Sequence, residues 1–220
     1  MEKKKTGLSK SVHDHILEQI MTKQLLPGER IPEEKIATEF KISRTPVRDA
    51  MRQLANEGLI ELIPNRFAKV KEFNSESIAE IGTLRIALDT MAIKLASLYG
   101  SRIDFIHLAD IAKQCEAAYL ANNTVLKRQL DIKFHMTLAK ISGNSLLLKF
   151  QKELYLRIQY ILLTHPNPIS NEERHLQQHF EITEALQNND ETLAVEIITD
   201  HLTSFYQLED KFPQSFFTNA

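Results

Sequence analysis

Four polar side chains sit where helical periodicity calls for hydrocarbon. Asp131 and His135 are four residues apart, share a stripe with Leu138 and flank the apolar row Leu130, Phe134 and Ile141. His179 shares a stripe with Ile182 and Leu186, and His201 lies among Ala194, Ile197, Ile198, Phe205 and Leu208. The spacing therefore directs one carboxylate and three imidazoles into one core. A buried carboxylate costs several kcal/mol unless it is paired or bound to a metal. A divalent ion would satisfy all four groups. Imidazole with carboxylate suits a transition metal (zinc, nickel or manganese) better than calcium, and the spacing does not choose among the three. The plainer alternative is a hydrogen-bonded Asp–His pair with two core histidines. His175, one turn before His179, is a further ligand or supporting group.

A second set of residues carries a different chemistry. Arg44, Arg48 and Arg52 recur every four residues and line one helix face opposite Val47, Met51 and Leu54. Guanidinium forks read guanine edges or clamp phosphate, and Ser43, Thr45 and the first amides of that helix suit phosphate. Lys35 precedes this face and Arg66 occupies a turn after it. An arginine stripe is equally a solvated face, so the elements that hold it decide.

Those elements are punctuated by Gly and Pro. Leu8 to Gln24 is predicted as a first helix ending at Leu26-Pro27-Gly28-Glu29, and Glu33 to Phe40 as a second with Pro32 in its first turn. Thr45-Pro46 is expected to cap and start a third helix that stops at Gly58. Leu59 to Leu62 and Phe67 to Lys71, around Pro64-Asn65-Arg66, read as a two-stranded hairpin. Helix, tight turn, helix and hairpin make a winged helix-turn-helix, whose second helix fits a major groove about 12 Å wide. Specific binding by so small a reader calls for two copies on an inverted repeat of double-stranded DNA, hence a homodimer.

Beyond a polar connection every segment keeps a helical period. Helices are predicted at Ser77 to Tyr99, Ile103 to Asn122, Val125 to Ser142, Ser145 to Thr164, Asn171 to Asn188 and Asp190 to Phe212, with a loop at His165-Pro166-Asn167-Pro168. The fold class is mainly α: residues 1–71 form a winged helix-turn-helix domain, 72–76 a linker, and 77–220 an all-helical bundle of about six helices that encloses the candidate metal ligands. Asn144 is expected to cap the helix after it.

Charge divides at the same place. The chain of 220 residues carries a net −2. Its first 70 residues hold 13 Lys and Arg against 10 Asp and Glu, net +3, and the remainder is net −5. A composition 43% apolar and 25% charged excludes long disorder. No apolar run approaches the ~20 residues of a membrane span, and no apolar segment follows the first lysines, which excludes a membrane span and a secretory signal, and no membrane is expected among the partners. The single Cys115 fits a reducing cytoplasm.

SRTPVRDAMRQLANEGLI (43–60) and LLPGERIPEEKIATEF (25–40) resemble the DNA-binding signature of the GntR family of bacterial transcription regulators. The resemblance implies operator contacts at Lys35, Arg44, Thr45 and Arg48. It usually includes a glycine near the wing tip, where this chain has Arg66-Phe67-Ala68. DIKFHMTLAKISGNSLL (131–147), with HFEITEAL at His179 and HLTSF at His201, resembles the FCD effector domain of the FadR subfamily, in its shorter VanR-like branch. Carried over, Asp131, His135, His179 and His201 become the metal site, open to a small organic acid. Arg85 matches a cavity-facing arginine and Arg157 is a looser effector candidate. Asp89, in LRIALD, replaces the family's usual glutamate. The resemblance implies a cytoplasmic, effector-controlled regulator, most often a repressor, and no enzyme. Two other readings stay open here: a metal-dependent hydrolase, and a regulator whose metal is purely structural.

Overall fold

The computed structural model describes residues 2–64, 66–164 and 172–212, with side chains from residue 7 onward. Residues 165–168, expected as a loop, and Asn171, expected to open a helix, lie outside the described residues. Two compact units are present: the described residues of Met1–Asn74 with Leu156–Pro166, and those of Ser75–Tyr155 with Asn167–Ala220.

The first unit contains α1 (Glu2–Met21), α2 (Glu33–Glu39), α3 (Arg44–Asn56), β1 (Ile60–Ile63) and β2 (Phe67–Val70). Val12, Ile16 and Ile20 of α1 and Val47, Met51 and Leu54 of α3 are buried, and these helices pack together. β1 and β2 pair antiparallel with Ile60 opposite Val70 and Ile63 opposite Phe67. The wing has a further edge that was not expected. Val70 exchanges main-chain hydrogen bonds with Gly28 and Glu29, Ile31 N donates to Ala68 O at 2.9 Å, and Arg30 bridges to Lys69. The Arg30 guanidinium also lies 5.1 Å from the centre of the Phe67 ring.

The start of α3 differs from expectation. Ser43, not Thr45, is the N-cap residue, and Pro46 falls at the third helical position. Proline is tolerated there because amides of the first turn have no helical acceptor. The Ser43 side chain makes no capping hydrogen bond.

The second unit is built on α4 (Ser75–Tyr99), α5 (Arg102–Leu120), α6 (Thr124–Ile141), α7 (Ser145–Thr164), α8 (Glu172–Gln187) and α9 (Glu191–Phe205), with α7 crossing into the first unit at Leu156. Ser101 and Asp104 form a reciprocal capping box on α5, while Asn123 and Asp190 cap α6 and α9. Asn144 Oδ1 accepts from Leu146 N and Leu147 N and caps α7 as expected. Left-handed residues end the helices: Asn122 after α5, Gly143 after α6, Asn189 after α8 and Gln207 after α9. The last is a correction. α9 does not run to Phe212, because Gln207 takes φ 53° and its amide turns back to Ser204 O, with Leu208 N on Thr203 O. Among the described residues no helix is long and apolar enough to cross a membrane.

Candidate metal centre and nucleic-acid interface

In the second unit α6, α8 and α9 carry the polar cluster. Asp131, His135, His179 and His201 each offer one ligand atom, and these atoms all lie within 4.8 Å of one another. The three histidines are 0% exposed, whereas the Asp131 side chain is 16% exposed. Asp131 Oδ1 is 3.5 Å from His179 Nε2 and 3.9 Å from His175 Nε2. His201 stacks on His175 with ring centres 3.6 Å apart, and His179 stacks on Phe134 at 4.2 Å.

The electrostatics follow from this enclosure. Burial pushes the His175 imidazole down to about 4 against the opposing pull of Asp131, and holds His179 and His201 well below the usual histidine range. Burial alone would raise the Asp131 carboxyl. His135, His179 and His175 outweigh it and bring it down to about 2. The result is an ionised carboxylate near three imidazoles, those of His175, His179 and His201, that resist protonation.

Both ring nitrogens of His135 and of His179, and Nε2 of His201, are buried without a hydrogen-bond partner. Such groups are costly to bury alone, and neutral imidazole nitrogens with a carboxylate are the donor set of a transition-metal ion. The residues present therefore fit a divalent metal.

Asp89, Gln151 and Arg85 form a polar layer beside His135. Asp89 is fully buried: Oδ1 accepts from Gln151 Nε2 at 2.6 Å, and Oδ2 lies 3.3 Å from both Arg85 Nε and His135 Nδ1. The His135 contact is close but not aligned as an in-line hydrogen bond. Burial disfavours the Asp89 carboxylate, but His135, Arg85 and the Gln151 hydrogen bond keep its pKa below the ordinary value. Arg85, 1% exposed, donates Nη1 to Tyr206 Oη at 3.2 Å and Nη2 to Tyr155 Oη at 2.9 Å. Sequence reasoning missed Asp89, Gln151, Tyr155 and Tyr206 as parts of this layer. Arg85 and Asp89 at i and i+4 on an apolar face carried the available signal.

The structure does not bring Arg157 to this cluster. Its Nε donates to Glu57 O at 2.8 Å and its Nη2 reaches Asn56 O at 3.5 Å, so it holds the C-terminal end of α3 within the first unit. Gly58, at φ +79°, makes this approach possible, because a Cβ there would lie 2.5 Å from Arg157 Nε. His13, which sequence reasoning passed over, is also at this end: Nε2 is 2.8 Å from Glu57 Oε2 and Nδ1 is 3.0 Å from Asp14 Oδ1. Burial lowers its pKa, and hydrogen bonds to the Glu57 and Asp14 carboxylates, with their negative charge, more than reverse that.

On the exposed face of α3 the arginine row is present. Arg44 pairs with Glu34, Arg48 Nε with Glu33 Oε1 at 2.8 Å, and Arg52 Nη1 with Asp49 Oδ1 at 3.4 Å. Lys35, Ser43, Thr45 and Arg66 are exposed as well. Exposed ion pairs of this kind are worth little, so the guanidinium groups are readily given up to phosphate or base edges.

A winged helix-turn-helix reader with an exposed arginine row, accompanied by a helical unit enclosing an Asp/His cluster, defines a DNA-binding regulator with a second, all-helical domain. Residues 8–70 match the bacterial regulatory proteins of the gntR family, and residues 80–204 match the FCD domain. The chain belongs to the GntR family of transcription regulators. It is 31% identical over 185 residues to the Nta operon transcriptional regulator of Aminobacter aminovorans, covering 82% of this chain and 84% of that one. It is 26% identical over 181 residues to the HTH-type transcriptional repressor RspR of Escherichia coli K12, covering 81% of this chain and 78% of the relative. The fold resembles that of E. coli McbR/YncC with a TM-score of 0.72 at 20% identity, over 91% of this chain and 96% of the other.

Proposed function

We propose that this chain is a cytoplasmic, homodimeric repressor whose hold on its operator is set by a small organic acid at a divalent metal in the helical unit. The observation that carries the reading is the set of buried, partnerless imidazole nitrogens converging with Asp131. Asp131, His135, His179 and His201 would hold the ion, which when bound offers open positions to a carboxylate. Arg85 is the arginine proposed to meet the acid: Nε, Nη1 and Nη2 each spend one N–H on Asp89, Tyr206 and Tyr155, which leaves two of its five N–H donors. Arg157 is occupied at the end of α3.

Reading of DNA is assigned to Arg44, Arg48 and Arg52 with Lys35, Ser43 and Thr45, and Arg66 flanks the surface. Displacement of Glu33 and Glu34 by the nucleic acid accompanies binding. Leu84, Met91 and Leu98 of α4 are exposed at seven-residue spacing, an apolar stripe that supports pairing with a second copy. Pairing of this kind places two recognition helices on an inverted repeat.

Purified protein titrated against its own promoter duplex, with zinc, nickel or manganese and a panel of small mono- and dicarboxylates, tests the switch. At least one acid should change the affinity by 5- to 150-fold, the usual span of such coupling. An affinity unaffected by every acid and metal would refute it. Chelation separates a sensing from a structural metal: an intact fold with lost acid response supports sensing, and unfolding of the helical unit supports structure. Loss of a hydrolytic turnover in H135A would instead restore the enzyme reading.

A further inference from the structure

The three imidazoles of the cluster are not held alike. His179 has no hydrogen-bond partner on either nitrogen, while His201 has one, on Nδ1 alone. That partner is Gln178, whose Oε1 lies 3.2 Å from His201 Nδ1 and whose Nε2 donates to Asp200 Oδ2 at 2.6 Å. Gln178 is 2% exposed, and Asp200 lies on the exposed side of α9.

We infer that Asp200 and Gln178 form a positioning relay that fixes which nitrogen of His201 is free to bind a metal. The argument runs through donor and acceptor types. An ionised carboxylate only accepts, so the Gln178 group facing Asp200 has to be the NH2. The other end of the amide, facing His201, is then a carbonyl oxygen, which also only accepts. His201 Nδ1 must therefore carry the ring hydrogen, and the lone pair is left on Nε2, the buried atom without a protein partner. A charge outside the core thus orients a neutral amide, and the amide selects the tautomer of a buried imidazole. Supporting groups of this kind orient metal-bound histidines generally, and their loss commonly costs 10- to 100-fold in metal affinity. Neither Gln178 nor Asp200 is among the four residues that would hold the ion, so both are positioning residues.

The inference rests on the metal reading above, and its test begins where that reading is silent, in metal-free protein. Long-range 1H–15N spectra of chelator-treated full-length protein should show His201 as the Nδ1–H tautomer. In Q178L, which keeps the bulk and loses the acceptor, the ring should shift toward the Nε2–H form. In D200A, an exposed and milder change, the amide is free to flip and a mixture of tautomers should appear. Zinc affinity, measured by competition with a chromogenic chelator, should fall 10- to 100-fold in Q178L and less in D200A. Helical content and melting of the metal-free D200A protein should match the wild type, which keeps the D200A arm interpretable if Q178L folds poorly. An Nε2–H His201 in the wild type overturns the relay. So does a D200A protein whose tautomer is unchanged, or a folded Q178L whose zinc affinity stays within twofold of the wild type. Wild-type protein that takes up no zinc would overturn the metal reading, and the tautomer assignment would then stand or fall on the nitrogen shifts alone.

Discussion

In chelator-treated protein the helical unit should be sensitive to mild acid, and His175 sets the size of the effect. Its imidazole titrates at about 4 in the folded chain, because burial outweighs the attraction of Asp131 and because His135, Arg85 and Lys127 add positive repulsion. In the unfolded chain it titrates near ~6.5. The unfolded state therefore takes up the proton first, and stability falls as pH drops through the window from about 6.5 to about 4. Linkage gives a loss of about 2 kcal/mol between pH 7.5 and pH 5, approaching about 3 kcal/mol below pH 4. His179 and His201 are displaced in the same direction and add to the slope. Asp131, brought down to about 2, does not offset it, since its stabilisation fades only below the ordinary carboxyl range near ~4. Urea unfolding of chelator-treated wild type and H175Q, followed by helical circular dichroism at pH 7.5, 6 and 5, measures the effect. The H175Q profile should be flatter by about 2 kcal/mol over that range. Profiles parallel to within about 0.5 kcal/mol would refute the account of the buried imidazole.

Three further outcomes follow from the geometry. R48A should weaken binding of the promoter duplex by about 1–3 kcal/mol in fluorescence anisotropy while leaving melting and metal content unchanged, since its side chain is exposed. G58A combines a left-handed φ of +79° with a Cβ 2.5 Å from Arg157 Nε, so thermal unfolding should show a destabilisation of about 1 kcal/mol or more. S101A removes one arm of the capping box on α5 and should cost about 1 kcal/mol in urea unfolding, with DNA affinity unchanged.

Helical periodicity and the turn residues placed most helices to within a few positions, because the apolar stripes of α3 and α6 are regular and Asn122, Gly143 and Asn189 stop their helices by adopting left-handed backbone. By contrast, α1 begins at Glu2, six residues before the expected Leu8, because its first turns carry lysines and no apolar stripe. The overlong α9 failed for the same physical reason in reverse: Gln207 adopts that backbone without being glycine or asparagine, and nothing in its type announces it. Local chemistry marked the four cluster residues, since a polar group on an apolar stripe is visible in one helix at a time. Gln178 and Asp200 were invisible by that route. Their roles depend on a hydrogen bond between α8 and α9, 22 residues apart in the chain. Arg157 was misplaced because a single arginine on a long amphipathic helix does not reveal which neighbour it meets. The third edge of the wing, at residues 28–31, was hidden because a Pro-Gly turn precedes it.

The way Arg157 and Tyr160 are used bears on how such a regulator can be cut or grafted. Arg157 holds Asn56 and Glu57 at the end of α3, and Tyr160 Oη donates to Lys71 O at 3.0 Å while its ring packs on Phe73. The reader is thus completed by a segment that arrives more than eighty residues after its own last strand. A fragment ending at Asn74 would expose two helix-terminal carbonyls and the apolar seat of Tyr160. A chimaera that exchanged readers at that point would inherit a foreign partner for Gly58. The transplantable part is discontinuous, and a working graft carries the second half of α7 along with the wing.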